Sequence, residues 1–265
     1  MRVPFAALLI APLLACALPA AAQGTAAPLR VGIETAYPPF SSLAPDGKPQ
    51  GFDIDIAQAL CERLQRPCQF VPSEFDGMIP ALRARKFDAI VASMSITEER
   101  KKAVDFSNKY YQTPARFVVK ADAAFEATPD GLKGRRIGVQ RATIHERFVS
   151  ATFKGSTITR YARQDEAFLD LAAGRVDAVL ADAIAADSGF LKTPAGRGYA
   201  FRGQSYDDPK WFGTGAGIAV RKGDPLRAQI NDALAAMRAD GSWQRIAAKY
   251  FDFDVWGGDE TPARK

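Results

Sequence analysis

Arg100 is a cation placed three residues after a helix start, where a cation has little reason to be unless an anion joins it. The segment Lys86–Arg100 reads KFDAIVASMSITEER. Thr97 is an N-cap residue, and Glu98 and Glu99 fill the first turn. Arg100 then lies near the positive end of the helix dipole, where a cation is mildly disfavoured. An anion reverses the balance, because the guanidinium, the free backbone N–H groups and the Ser95 hydroxyl would converge on it. The chemistry on offer is capture of a carboxylate. The sequence equally allows Arg100 to pair with a carboxylate of its own chain or to point into water.

Other reactive residue types are sparse. His145 is the only histidine, and it falls in the first turn of a second helix start, Thr143-Ile-His-Glu146, where it reads as a surface or capping-box residue. No nucleophile, base and orienting group can be assembled around it, so no catalytic residue is assigned. HExxH and repeated CxxC spacings are lacking, which leaves no metal site to propose. Gly213–Gly217 leads into a strand rather than a helix, a weak nucleotide signal, and no cofactor is expected.

The elements that must position Arg100 alternate strand with helix. Leu29–Ile33 reads as a first strand ending at Glu34, and Tyr37-Pro-Pro-Phe40 as a rigid turn beyond it. Phe52–Leu64 has helical spacing, Gln69–Val71 is a second strand, and Met78–Arg85 a short helix. Asp88–Ala92 is a β-branched apolar run without alternation, as in a strand covered on both faces. This order implies an α/β fold with a largely parallel sheet. The pattern then recurs. Arg135–Gln140 aligns with Leu29–Glu34, and Leu171–Asp182 with Leu82–Ser93. The repeat implies two lobes of similar design, pairing Glu34 with Gln140 and Ser93 with Asp182 at the carboxyl ends of parallel strands, where open α/β sheets bind ligands. After the second lobe the chain returns through a strand at Ile218–Val220, a helix capped by Asp224-Pro225 and a last helix from Ser242.

At 265 residues and 47% hydrophobic composition the chain is long enough for two lobes. Its first 22 residues read as a signal peptide: Arg2, an apolar run over Val3–Leu18 and an A-x-A site at Ala20–Ala22. A rival reading takes Leu13–Cys16 as a lipoprotein box that would acylate Cys16. No later stretch reaches the roughly 18 apolar residues of a membrane span. Cleavage removes Arg2 from 35 Lys and Arg set against 30 Asp and Glu, leaving +4, scattered and without the basic patch that nucleic acid needs. Two cysteines remain, Cys61 and Cys68, and an exported even pair suits a disulfide, while a metal site would need a second ligand pair.

The segments GFDIDIAQALCERL, FDGMIPAL, FDAIVASMSITEER, VQRATIHERF and ADGSWQRIAAKYFDFDVWGG, in this order, resemble the family 3 periplasmic solute-binding proteins of ABC importers. The likeness is strongest to the lysine/arginine/ornithine-binding and histidine-binding members and covers essentially the whole mature chain. It implies a type II two-lobed fold, with two parallel-rich sheets joined by a two-stranded hinge. Residues 23–113 and 209–256 would form lobe one, 114–208 lobe two and 257–265 a flexible tail. It also implies a Cys61–Cys68 disulfide, a monomer in the periplasm, a basic L-amino acid as ligand and an inner-membrane ABC permease as partner. By the same resemblance Arg100 takes the ligand α-carboxylate, with Ser95 and N–H groups near Ser93 and Thr143, and Asp182 takes the α-ammonium. Tyr37 and Phe75 would face each other across the ligand side chain, with Glu34 as counter-charge. Ala92, Met94, Gln140 and His145 complete the expected set. The chain departs from these relatives at Glu34 for an aspartate, Ala92 for a serine, Gln140 and Ile144 for a leucine and a threonine, and His145 for a glutamine. These departures leave open an opine of the octopine or nopaline type as ligand. A cyclohexadienyl or arogenate dehydratase-like enzyme on the same fold is a further alternative, as is a receptor that reports to a separate sensor.

Overall fold

A computed structural model describes residues 26–257. The signal peptide with Cys16, and the tail beyond Gly257, lie outside the described residues. In chain order the first lobe contains β1 (Leu29–Ile33), the small hairpin strands β2 (Ala36–Tyr37), β3 (Ser41–Leu43) and β4 (Pro49–Gln50), then α1 (Phe52–Arg63) and β5 (Cys68–Pro72). It continues through α2 (Met78–Arg83), β6 (Ala89–Ile90), α3 (Glu98–Lys101) and β7 (Val104–Tyr111). The second lobe holds β8 (Ala115–Lys120), β9 (Arg136–Gln140), α4 (Ile144–Thr152), β10 (Thr157–Tyr161), α5 (Gln164–Ala172), β11 (Ala178–Asp182), α6 (Ala183–Ala186) and β12 (Tyr199–Tyr206). After α7 (Pro209–Phe212), β13 (Ala216–Arg221) rejoins the first sheet, followed by α8 (Leu226–Ala239) and α9 (Ser242–Ala247).

The two main sheets run β5-β1-β6-β13-β7 and β10-β9-β11-β8-β12. In each, three neighbouring strands pair in parallel, and the remaining two pairings are antiparallel. The sheets are therefore less parallel than the alternation of strand and helix predicts, because β13 and β8 each insert against the run of the parallel set. The chain crosses between sheets after β7, at residues 112–114, and again between β12 and β13.

The sequence repeat is visible as chemistry. Arg30 forks onto Asp88, with Nη2 2.8 Å from Oδ1, and Nη1 donates to Arg85 O at 2.9 Å. Arg136 repeats the arrangement on Asp177, at 2.7 Å, with Nη2 donating to Gly174 O at 2.9 Å. Each guanidinium thereby ties the start of a parallel strand to the turn that feeds its neighbour. Cys61 and Cys68 form a disulfide with a Cα–Cα separation of 5.5 Å, closing the end of α1 onto β5.

Two hydrophobic layers cover the first sheet. On one side α1, α8 and α9 bury Phe52, Ile56, Leu60, Ile230, Leu234 and Trp243; on the other α2 buries Met78 and Leu82 against Phe87 and Ile90. Gly51 sets the entrance to α1. Its φ is 127°, and a Cβ there would lie 2.3 Å from Phe40 O. Gly51→Ala is accordingly expected to destabilise the fold by about 3 kcal/mol or more, through backbone strain added to steric overlap. Thermal unfolding checks this, and an unshifted midpoint would contradict the local geometry.

Candidate functional site

The carboxyl ends of the parallel strands from both lobes meet across one crevice. Glu34 follows β1, Ala92–Ser95 follow β6, Gln140 ends β9 and Asp182 ends β11. Two adjoining small cavities lie there. One is lined by Glu34, Tyr37, Phe75, Ala92, Ser93, Ser95, Arg100, Gln140, Thr143, Ile144 and His145. The other shares Tyr37, Ser93, Ser95, Ile144 and His145 and adds Tyr111, Thr113, Asp182 and Phe212. Met94 is apart from them. Its side chain is packed in the apolar layer with Met78, Leu82 and Phe106, and only its backbone carbonyl is engaged, by Gly217 N. Its neighbours Ser93 and Ser95 line the cavities while Met94 turns to the apolar layer.

Among the described residues Arg100 pairs with no carboxylate. Its Nη1 donates to Ser95 O at 2.9 Å and its Nη2 to Ala142 O, in the other lobe, at 3.0 Å. The guanidinium carbon stands 5.3 Å from the Phe75 ring centroid, so Phe75 meets this cation as well as facing the cavity. Thr97 caps α3 as its residue type predicts, with Oγ1 accepting from Arg100 N at 3.3 Å. Burial, with the charge of Arg147 behind it, lowers the guanidinium to about 10, so it stays protonated at neutral pH.

The second helix start differs slightly from a simple capping box. Thr143 Oγ1 accepts from Glu146 N at 3.2 Å, while Glu146 Oε2 accepts from Ala142 N at 2.6 Å, one residue earlier than the motif implies. Ala142 sits at φ 59°, and this left-handed turn aims its carbonyl at Arg100. His145 is not a surface residue: it is buried against the cavities and near Phe212. Burial first, and then the Arg100 charge, push its imidazole down to about 3, so it lines the site as a neutral ring.

Three buried carboxylates belong to the crevice, Glu34 and Asp182 lining its cavities and Asp53 behind them. Asp182 Oδ1 accepts from Ile184 N at 2.9 Å and Ala185 N at 3.0 Å, and Thr113 Oγ1 donates to Oδ2. Glu34 Oε1 accepts from Gln140 Nε2 at 2.6 Å. The third, Asp53, drew no assignment from the sequence. Tyr110 Oη donates to its Oδ1 at 2.8 Å and Ser93 Oγ to its Oδ2 at 2.9 Å, while Ser93 N donates to Tyr110 Oη at 3.2 Å. This network holds Ser93 at φ 52°, a left-handed conformation that a serine adopts at some cost. The available signal was that Asp53 lies between Phe52 and Ile54 on the apolar side of α1. Burial pushes all three carboxyls up to about 7. The crevice thus carries an excess of acid that a bound cation would drive into its ionised form. Among the described residues no group of His, Cys, Asp or Glu is placed to hold a metal, and no helix is long and apolar enough to cross a membrane.

Comparison with known proteins identifies relatives of this chain. The family described as bacterial extracellular solute-binding proteins, family 3, matches residues 29–253. An L-arginine-binding protein of Pseudomonas aeruginosa is 54% identical over 88% of this chain and 91% of its own. The lysine/arginine/ornithine-binding periplasmic protein of Escherichia coli is 44% identical over 86% of this chain and 89% of its own. Among solved structures, an ancestral arginine-binding protein bound to arginine superposes with a TM-score of 0.79 at 40% identity, covering 84% of this chain and 97% of the other. The family matches nearly all of the described residues and both relatives pass well beyond chance likeness, so this chain belongs to the family 3 bacterial extracellular solute-binding proteins.

Proposed function

We propose that this protein is the periplasmic receptor for a basic L-amino acid, which it captures between its lobes and delivers to an inner-membrane ABC permease. The observation that carries this reading is the charge layout of the crevice. One guanidinium, Arg100, stands at one end, and the buried carboxylates Asp182 and Glu34 stand at two others. An α-amino acid with a cationic side chain has the complementary three charges. Arg100 forks onto the α-carboxylate, Asp182 receives the α-ammonium, and Glu34 meets the side-chain tip beside Tyr37 and Phe75. The names of the relatives, arginine-binding and lysine/arginine/ornithine-binding, support the same ligand class. The family and its named relatives are solute-binding proteins, which supports a receptor over an enzyme.

Capture requires motion. The two cavities measure about 40 and 20 Å³ and are walled by both lobes, so a ligand reaches them only when the lobes part. Residues 114–208 are the lobe that swings, about the crossings at 112–114 and after Tyr206. A ligand touching both lobes favours the closed state by its differential affinity.

Calorimetric titration of refolded, ligand-free mature protein tests this reading with L-arginine, L-lysine, L-ornithine, L-histidine, L-glutamine and octopine. Tight binding is expected for at least one of the first four; silence on all four would overturn it. Arg100→Ala should weaken every amino acid ligand by about 4 kcal/mol or more, the scale of a buried partner removed from an ion pair. Glu34→Gln should weaken cationic ligands by about 2 kcal/mol and leave any neutral ligand nearly unchanged; an equal loss for both kinds would remove the counter-charge role. In small-angle scattering the radius of gyration should fall on adding saturating ligand, and identical curves with and without it would argue against closure.

A further inference from the structure

Gln140 is buried to 2% exposure at the end of β9, and its side-chain nitrogen reaches across the crevice to the other lobe. Nε2 donates to Glu34 Oε1 at 2.6 Å and to Ala162 O at 3.2 Å. The amide can face only one way. Turned over, it would set Oε1 against a carboxylate and a carbonyl, three acceptors with no hydrogen between them. Both of its N–H groups are committed, one to its own lobe and one to the group that reads the ligand's charge.

We propose that Gln140 is the positioning residue that holds Glu34 in its ionised, cation-seeking form across the closed crevice. This rests on the receptor reading above and deepens it, because it names the group that keeps the charge by which a cationic side chain is selected. Without this donor Glu34 would be a carboxylate out of water among acids.

The surroundings of Glu34 show why a donor is needed. Asp53 on α1, Glu74 after β5 and Asp165 on α5 all face it with like charge, and Tyr37 on β2 lies beside it. Arg163 lines the outer opening next to Glu34 and Glu74, but its guanidinium is engaged with Asp165 at 2.8 and 3.1 Å. Burial drives the Glu34 carboxyl up to about 7, and the hydrogen bond from Gln140 opposes that rise. Removing the donor therefore raises the carboxyl further. The lost charge is felt below the raised value and recovered above it.

The test is the pH profile of L-arginine affinity from pH 5.5 to 8.5 for the wild type, Gln140→Met and Gln140→Leu, with thermal unfolding confirming that each variant is folded. Methionine keeps the length and removes both N–H groups. Wild-type affinity is expected to rise through pH 7. In the variants the rise should move to higher pH, leaving affinity about tenfold lower at pH 6, the effect of about one pKa unit, with the gap narrowing towards pH 8.5. Asp182 titrates in the same range in all three proteins and cancels from the comparison. In a Glu34→Gln background Gln140→Met should produce no displacement. A loss that is the same at every pH, or no loss, would overturn the positioning role while leaving the receptor intact. A wild type that binds no basic amino acid at any pH would bring down both.

Discussion

A carboxylate taken out of water must find a cation, a set of donors or a proton, and this crevice holds three such groups within one small volume. Asp53 is met by two hydroxyls of its own lobe, and Asp182 by the helix start of its own lobe together with Thr113 at the crossing. Glu34 is met from the opposite lobe. The single guanidinium is held off them, spending its own donors on carbonyls of Ser95 and Ala142. That separation leaves the acids unneutralised from within and makes the crevice a receptor for positive charge rather than a finished salt bridge.

Holding these groups apart is the work of the aromatic packing behind them. Phe40 stacks on Tyr111 at 4.6 Å, and Phe52 lies 6.1 Å from Tyr110 and 5.1 Å from Phe251. Trp243 Nε1 donates to Tyr110 O at 3.0 Å, and Gln112 N to Val255 O at 2.9 Å. One continuous core therefore reaches from α9 to the end of β7, where the chain leaves the first lobe. The rigid side of the crossing is anchored, and Tyr111 brings the same core to the wall of the second cavity.

Much of this was legible in the residues. The repeat placed β1 with β9 and β6 with β11, and the paired Arg–Asp forks show that the alignment followed structure as well as composition. Thr97, Thr143 and Asp224 each cap where their types and neighbours say they should. The features that were not legible all depend on contacts between distant parts of the chain. Asp53 gains its role from Tyr110 and Ser93, 57 and 40 residues away. His145 is buried by the facing lobe and Phe212, which nothing in its own helix announces. Met94 lies in a run of site residues yet turns into the core, because the backbone that presents Ser93 and Ser95 sends the side chain between them the other way.

The meeting of Glu34 and Gln140 has one more consequence, since the repeat makes them equivalent positions of two similar units. If both units carried the acid, two buried carboxylates would touch and one would have to keep a proton. If both carried the amide, the contact would form but would hold no charge. A single divergence between the halves gives the contact a donor side and an acceptor side. The crevice is therefore polar along its length although its walls are built from matching parts, and a molecule with unlike ends can lie in it in only one direction.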